Sequence, residues 1–437
     1  MPIKFTYDNS AGLIIPYFKG GGIHTEFCSY LACRKKYPYR ISKNLRSVSS
    51  ITLKNIAYRI KFLIDLLEYN NLELYEITFE DDIQKIINSL HEDWEWSGES
   101  IRLYSSTWRQ FFDFLTIDNT LHKVLFPPKI TLEIDTDKDN DFLSHTRSDS
   151  RRTVEQETSV NPKWIIHNDD YCDEVLSMDQ YWKLYSCLYE MDPVFVVMAS
   201  TMLQTLLRVG GVIQFPLTAN KQNPQWKRFA EMKRDHFECQ HLKFLNKGQS
   251  FEQCIVHIHT MDIIDSQYLR PCYQERKRLF VEKYLNSKHA EKKNISIRNE
   301  YIWLNKNGTP VTIEMIQSAF RTASEALGFR VHPHMLRHTG ATHLLWRYAK
   351  MNGIELHESM AGDIHSWLKY QLCHSDLSTT KRYIKTVHRL KATSLLSSML
   401  PGQIQELESS MGKDVIASYK KAMEAHDEYM AGASSSL

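Results

Sequence analysis

Residues 131–177 most constrain what this chain can fold into. This stretch, which begins TLEIDTDKDNDFLSHTRSDSRRTVEQETSV, holds 12 Asp/Glu against 5 Lys/Arg and shows little apolar periodicity. A segment with net charge −7 and few regularly spaced apolar side chains does not run through the middle of one core. The chain therefore reads as two domains with an acidic linker between them. Residues 1–130 carry +1, residues 178–400 carry +11 and a tail, 401–437, carries −3. The total for 437 residues is only +2, a figure that hides the division.

Elsewhere the composition suits ordinary cores, with 42% hydrophobic and 24% charged residues. Eight cysteines are scattered without a CxxC pair, so neither a zinc site nor a disulfide framework is indicated, and a reducing compartment fits. The opening MPIKFTYDNSAG has no apolar core of signal-peptide length. The most apolar stretch, Pro193 to Ile213, is interrupted by Gln204 and Arg208, so it reads as a buried helix and not a membrane span.

The front domain reads as helices. In residues 51–72 the apolar positions 56, 60, 63, 64 and 67 share one helical face. Thr78, with Asp81 three residues on, is a capping pattern for a second helix. A third carries Ile101, Tyr104, Trp108, Phe111, Phe112 and Leu115 on one side, as a core stripe, and Pro127–Pro128 is expected to close it. Before the first of these helices comes a basic run, Arg34, Lys35, Lys36, Arg40, Lys43 and Arg46, which reads as a solvated face or a phosphate-tracking one. In the rear domain Ser177 is an expected N-cap, an apolar helix covers about 194–207, and 240–246 and 253–260 alternate like strands around the turn NKGQS. Helices are expected again at 312–327, 335–351, 364–373 and 376–386. The fold class is mainly α with a small β-hairpin.

Six side chains in the basic rear domain suit one chemistry. Arg208 follows TMLQTLL, where a charge is expensive unless it meets an anion or a carboxylate. In HPHMLRHTGATHLL, His334 and Arg337 are three apart on one helix face. LCHSDLSTTKRYIK supplies His374 and, nine residues later, Tyr383, and Lys247 sits in the hairpin turn. Two guanidiniums can hold the non-bridging oxygens of a phosphodiester as negative charge builds up during attack. A tyrosine hydroxyl is a nucleophile once a base or a positive site activates it, and a lysine can protonate a leaving alkoxide. No carboxylate cluster accompanies the set, which argues against a magnesium-dependent nuclease or polymerase.

In these motifs the sequence resembles the tyrosine recombinase, or phage integrase, family. HPHMLRHTGATHLL resembles its second-arginine box, LCHSDLSTTKRYIK its histidine–tyrosine box, TLLRVGGVIQFPL its first-arginine box and FLNKGQSFEQCIVHI its lysine hairpin, while residues from about Ile51 to Thr116 resemble its helical core-binding domain. The resemblance implies that Arg208 and Arg337 clamp the scissile phosphate and that His334 accepts the tyrosine proton. It further implies that Lys247 protonates the departing 5′ oxygen, His374 bonds a non-bridging oxygen and Tyr383 attacks to leave a 3′-phosphotyrosyl link. Rejoining then needs neither ATP, metal nor another cofactor. The implied substrate is a pair of double-stranded recombination sites, bound by a dimer per site and exchanged through a Holliday junction in a tetramer. Accessory proteins are a further class of partner, a membrane is not, and the chain is expected on DNA in the cytoplasm. Integration or excision of a mobile element is the leading role. The alternatives are a type IB topoisomerase-like relaxase and a non-cleaving DNA-binding protein of the same fold. The tail beyond residue 400 is expected to dock on a neighbouring protomer or on its own domain.

The sequence also departs from the family pattern. Cys373 stands where a glycine usually precedes the second histidine, and a left-handed backbone there would be strained. Gly211 replaces the acidic residue usual three places after the first arginine. Asn246 replaces the first glycine of the hairpin, and Lys243 rivals Lys247. The 36 residues between Arg337 and His374 imply an enlarged helix–loop–helix. His338 reads as supporting and not catalytic.

Overall fold

The computed structural model describes residues 3–8, 12–18, 20–41, 45–134, 152–156, 158–165, 170–246, 250–285, 295, 300–353, 355–356, 363–373 and 377–392. These form a mainly helical fold with three two-stranded antiparallel sheets. The chain divides into two compact units, Met1–His167 and Asn168–Leu437.

In the first unit, strands β1 (Ile3–Asp8) and β2 (Leu13–Phe18) pair as a hairpin, and helices α1 (Thr25–Lys36), α2 (Ser50–Tyr69), α3 (Gln84–Glu92) and α4 (Gly98–Ile117) follow. The apolar face expected in 51–72 is the buried face of α2, with Ile56, Ile60, Leu63 and Leu67 in the core. Thr78 takes the capping role: its hydroxyl accepts from the Asp81 amide at 3.1 Å, and a π-turn leads into α3. The α4 stripe is core as expected, with Ile101, Trp108, Phe111, Phe112 and Leu115 buried. The helix ends ten residues before Pro127, because Asn119 turns into the left-handed region at φ 56°. The β1–β2 hairpin and α1 lie outside the helical reading of this region.

The acidic stretch is not featureless. Strand β3 (Ile130–Ile134) pairs with β4 (Arg152–Gln156). Beyond them Val160 is fully buried, the Ser159 hydroxyl lies 2.5 Å from that of Ser105, and Trp164 stacks on His91. Gly98 makes this possible, since a Cβ there would lie 2.2 Å from the Trp164 carbonyl oxygen. These residues belong to the first unit, whereas Tyr171 and Leu176 pack in the second.

The second unit opens with α5 (Met178–Met191), capped as expected by Ser177, here in a full capping box with Gln180. Helix α6 (Pro193–Thr205) is apolar on almost every side and buried, as the sequence implies. Next come the single turn α7 (Val209–Val212), α8 (Phe229–Arg234), the hairpin β5 (Cys239–Leu245) and β6 (Phe251–His257), and α9 (Ile258–Ile264). A π-helical stretch, Asp265–Tyr273, joins α9 to α10 (Gln274–Tyr284). Helices α11 (Ile313–Leu327), α12 (Pro333–Met351), α13 (Asp363–Leu372) and α14 (Leu377–Ala392) complete the unit. The tail from 401 lies outside the described residues.

One buried ion pair ties these elements together. Asp192 caps α6 by accepting from the Val194 amide, pairs with Arg276 of α10 at 2.6 Å and accepts from the Lys306 amide. Arg276 also donates to the Leu304 carbonyl. Breaking one partner of such a pair leaves a buried charge uncompensated. Asp192→Ala is therefore expected to lower stability by about 3–5 kcal/mol in urea denaturation. A loss below about 1 kcal/mol would show the pair to be dispensable.

Candidate active site

The site forms where the end of α6, the face of α12, the end of α13 and the middle of α14 meet. Gly340 on α12 sets the closeness of the first two: a Cβ there would stand 2.2 Å from the Leu203 carbonyl oxygen and 2.7 Å from the Leu206 side chain. Any larger residue would push the helices apart. Leu206, just past α6, adopts the left-handed conformation at φ 59°, which for a branched residue costs on the order of 1–2 kcal/mol. The turn aims the Leu206 carbonyl at Arg337 and brings Arg208 to the start of α7.

Arg337 is almost fully buried. It donates to the Leu206 carbonyl at 2.6 Å and to the Leu372 carbonyl at the end of α13. Burial, with Arg208 nearby, lowers its pKa to about 10, so it stays charged at neutral pH. Among the described residues the Arg208 side chain has no hydrogen-bond or ion-pair partner. Gly211 supplies none, and a side chain at that position would press on Leu207 at 3.0 Å and Phe244 at 3.4 Å. Among the described residues, these two cations thus stand together without a carboxylate partner.

Tyr383 lies on α14 with 0% of its surface exposed. Burial pushes its phenol above the usual range, while Arg337 and Arg208 pull it back down. Its hydroxyl is 3.0 Å from Nδ1 of His338. His334, one turn earlier on α12, meets His338 edge to face at 4.5 Å. It opens onto a cleft of about 710 Å³, lined also by Arg208, Arg321, Arg330 and His332. Desolvation, then the charges of Arg337, Arg208 and His332, lower the His334 pKa to about 4, so its imidazole is neutral at pH 7.

Of the six sequence-derived residues, Arg208, His334, Arg337 and Tyr383 come together. Lys247 and His374 lie outside the described residues. The strain expected at Cys373 is present: its φ is 48°, it directly follows Leu372, and burial raises its thiol pKa to about 11. Lys243 is exposed on β5, over the Phe251 ring, and lines a different cleft from the one beside Arg208. In the first unit Arg34 turns inward to the Arg46 carbonyl and Gln110, and Lys35 donates to the Val48 carbonyl. Lys36 and Arg40 are exposed, and Lys43 lies outside the described residues. One residue escaped the sequence reading of the site: Tyr171, in the acidic stretch, carries no local signal at all, whereas His338 reads from the sequence as supporting and not catalytic.

Residues 274–388 match the phage integrase family. The matched segment holds His334, Arg337 and Tyr383. Among solved structures, the chain is similar to XerA recombinase, at 16% identity over 84% of this chain and 98% of that one, with a TM-score of 0.31. It is similar to XerH site-specific recombinase bound to palindromic difH substrate in a post-cleavage complex, at 11% identity over 80% of each chain and a TM-score of 0.43. A lambda integrase dimer bound to a COC′ core site is similar at 12% identity over 86% of this chain and 94% of that one, with a TM-score of 0.43. No curated protein matches. Among the described residues, no cluster of His, Cys, Asp and Glu suits a metal ion, and no helix is long and apolar enough to cross a membrane.

The neutral histidines of the second unit give it an expected pH response. His334 and His257 have pKa values lowered to about 4, and His343, fully enclosed, to about 3, with burial the first cause in each. Between the unfolded value of about 6.5 and these folded values, the unfolded chain binds the extra protons, so stability falls as pH falls through that window. The urea midpoint is expected to drop steadily from pH 7 to 4.5, and His343→Leu to reduce the slope. A midpoint flat across this range would contradict the assignment.

Proposed function

We propose that this chain is a site-specific DNA strand transferase that cleaves and rejoins DNA through a 3′-phosphotyrosyl link on Tyr383. The observation that carries this reading is the pairing of two guanidiniums, Arg208 and Arg337, with a buried tyrosine and, among the described residues, no carboxylate partner to either. A phosphodiester brought to that point gains charge stabilisation where the charge develops, which is the largest single source of acceleration in such reactions. Lys247 is the proposed acid for the departing 5′ oxygen, and His374 the proposed donor to a non-bridging oxygen. The link conserves the phosphodiester's energy, so rejoining by the free 5′-hydroxyl requires no nucleotide or metal.

The +11 of residues 178–400 suits phosphate contacts along the duplex, with salt-dependent affinity. Residues 1–130 are the proposed core-binding domain, with Lys36 and Arg40 as phosphate contacts, and 131–177 the proposed acidic connection to the catalytic domain. Assembly as a dimer per site and a tetramer in synapsis, docking of the tail in trans, and a role in moving a mobile element complete the proposal.

A library of nicked suicide duplexes, randomised across the core, tests it. Wild type is expected to form an SDS-resistant protein–DNA adduct in the presence of EDTA, and Tyr383→Phe none. An adduct that persists in the Phe variant assigns the nucleophile elsewhere, and no adduct from wild type removes the cleavage reading.

A further inference from the structure

The family motif assigns the proton of the attacking tyrosine to His334, but the geometry points to another histidine. We propose that His338 is the residue that accepts the Tyr383 proton, with Tyr171 holding its ring in place. This rests on the strand-transferase reading above.

Several contacts support it. The Tyr383 hydroxyl lies 3.0 Å from Nδ1 of His338, whereas His334 meets the edge of the His338 ring at 4.5 Å. His334 faces the arginine-lined cleft instead, where a neutral imidazole can bond a phosphate oxygen. The His338 ring is fixed from above: Tyr171 stacks on it with centroids 4.0 Å apart and planes 28° apart, and the same ring lies 4.7 Å from that of Tyr383. Tyr171 is itself anchored to α14, its amide donating to the Thr386 hydroxyl at 2.8 Å, three residues beyond Tyr383. Asp170 pairs with Arg389 on the same helix, and Leu176 donates to the Thr339 hydroxyl on α12. The strap 170–176 thus joins the helix bearing the nucleophile to the helix bearing His338.

Tyr383 is wholly buried, so its hydroxyl proton does not pass directly to bulk water. Arg337 is beside it, but a guanidinium has no lone pair to accept a proton. Among the described residues, Tyr171 from the strap, Tyr383 from α14 and His334 from its own helix lie against the His338 ring. Cys172 and Arg382 lie further out, the latter 6.0 Å over the Tyr171 ring. In cleavage, the Tyr383 O–H bond breaks and its proton moves to the lone pair on Nδ1 of His338. The oxygen's electron pair forms the bond to phosphorus as the bond to the 5′ oxygen breaks, and Lys247 protonates that oxygen. Rejoining runs the same transfers in reverse.

The test uses the full chain and a duplex selected as above, with a 5′-bridging phosphorothiolate at the scissile bond. Its leaving group needs no proton, so only activation of the tyrosine is read. The rate of adduct formation is followed from pH 5.5 to 9. Wild type is expected to reach a plateau once histidine is neutral. His338→Asn keeps a hydrogen-bonding group but cannot take the proton. Its rate is expected to fall about 100-fold near pH 7, to rise about tenfold per pH unit, and its DNA affinity to stay within about twofold. His338→Gln is the second variant should the Asn form not fold, with the same expectation. His334→Asn is expected to slow cleavage but keep the plateau.

A wild-type rate and plateau in the His338 variants would overturn the proposal, as would loss of the plateau in His334→Asn alone. An adduct from wild type but not from Tyr383→Phe, with unchanged His338 variants, defeats this inference and leaves the strand-transferase reading standing. No adduct from wild type defeats both.

Discussion

The burial of the Arg337 guanidinium against two backbone carbonyls organises the second unit. A carboxylate partner would satisfy the charge but also neutralise it, whereas carbonyls satisfy the N–H donors and leave the positive charge available. The two acceptors, Leu206 and Leu372, close different helices, so a single side chain fixes the ends of α6 and α13 relative to α12. Each contact borders a strained residue. Leu206 is itself left-handed, and Cys373, directly after Leu372, is left-handed too. Strain in non-glycine residues persists only where the surroundings over-determine it. Here the surroundings are the core around Leu206, Leu345, Leu368 and Tyr383, together with the close crossing that Gly340 permits.

The other parts of the site follow from that fixed point. Arg208 emerges two residues after the Leu206 turn, unpartnered among the described residues. On α12, Arg337 and His338 follow His334 by three and four residues, the spacings that bring helical side chains onto a common face. Tyr383 reaches the group from α14 through the apolar cluster that holds Leu372. The result is a pair of cations, two imidazoles and a phenol in one shielded place, with no acidic side chain among the described residues paired to Arg208 or Arg337. An anion arriving there supplies what the protein withholds.

Much of this was legible in the sequence. Helix periodicity placed α2 and α4 because their apolar stripes recur over several turns, and Ser177 and Thr78 marked helix starts through the donors they satisfy. The order of Arg208, His334, Arg337 and Tyr383 disclosed the site because the chemistry needs those types together. The β1–β2 hairpin and α1 were not legible, since short or weakly amphipathic elements leave little periodic signal. The end of α4 was misplaced because Asn119, not the later prolines, supplies the stop. The contacts that join His338 and Tyr171 to Tyr383 were hidden for a different reason. They depend on pairing between residues 45 and 212 positions apart from Tyr383, and no local pattern carries such distances.

The central claim is that Arg337 acts on the phosphate through a charge held in place by carbonyls, and not merely as a structural plug. Arg337→Lys keeps a cation but loses the planar fork that two carbonyls and an anion share. Comparing its equilibrium DNA affinity with its single-turnover rate of adduct formation tests the claim most directly. The account predicts affinity within about threefold of wild type and a rate lower by on the order of 100–1,000-fold. A Lys variant that cleaves at the wild-type rate would contradict it.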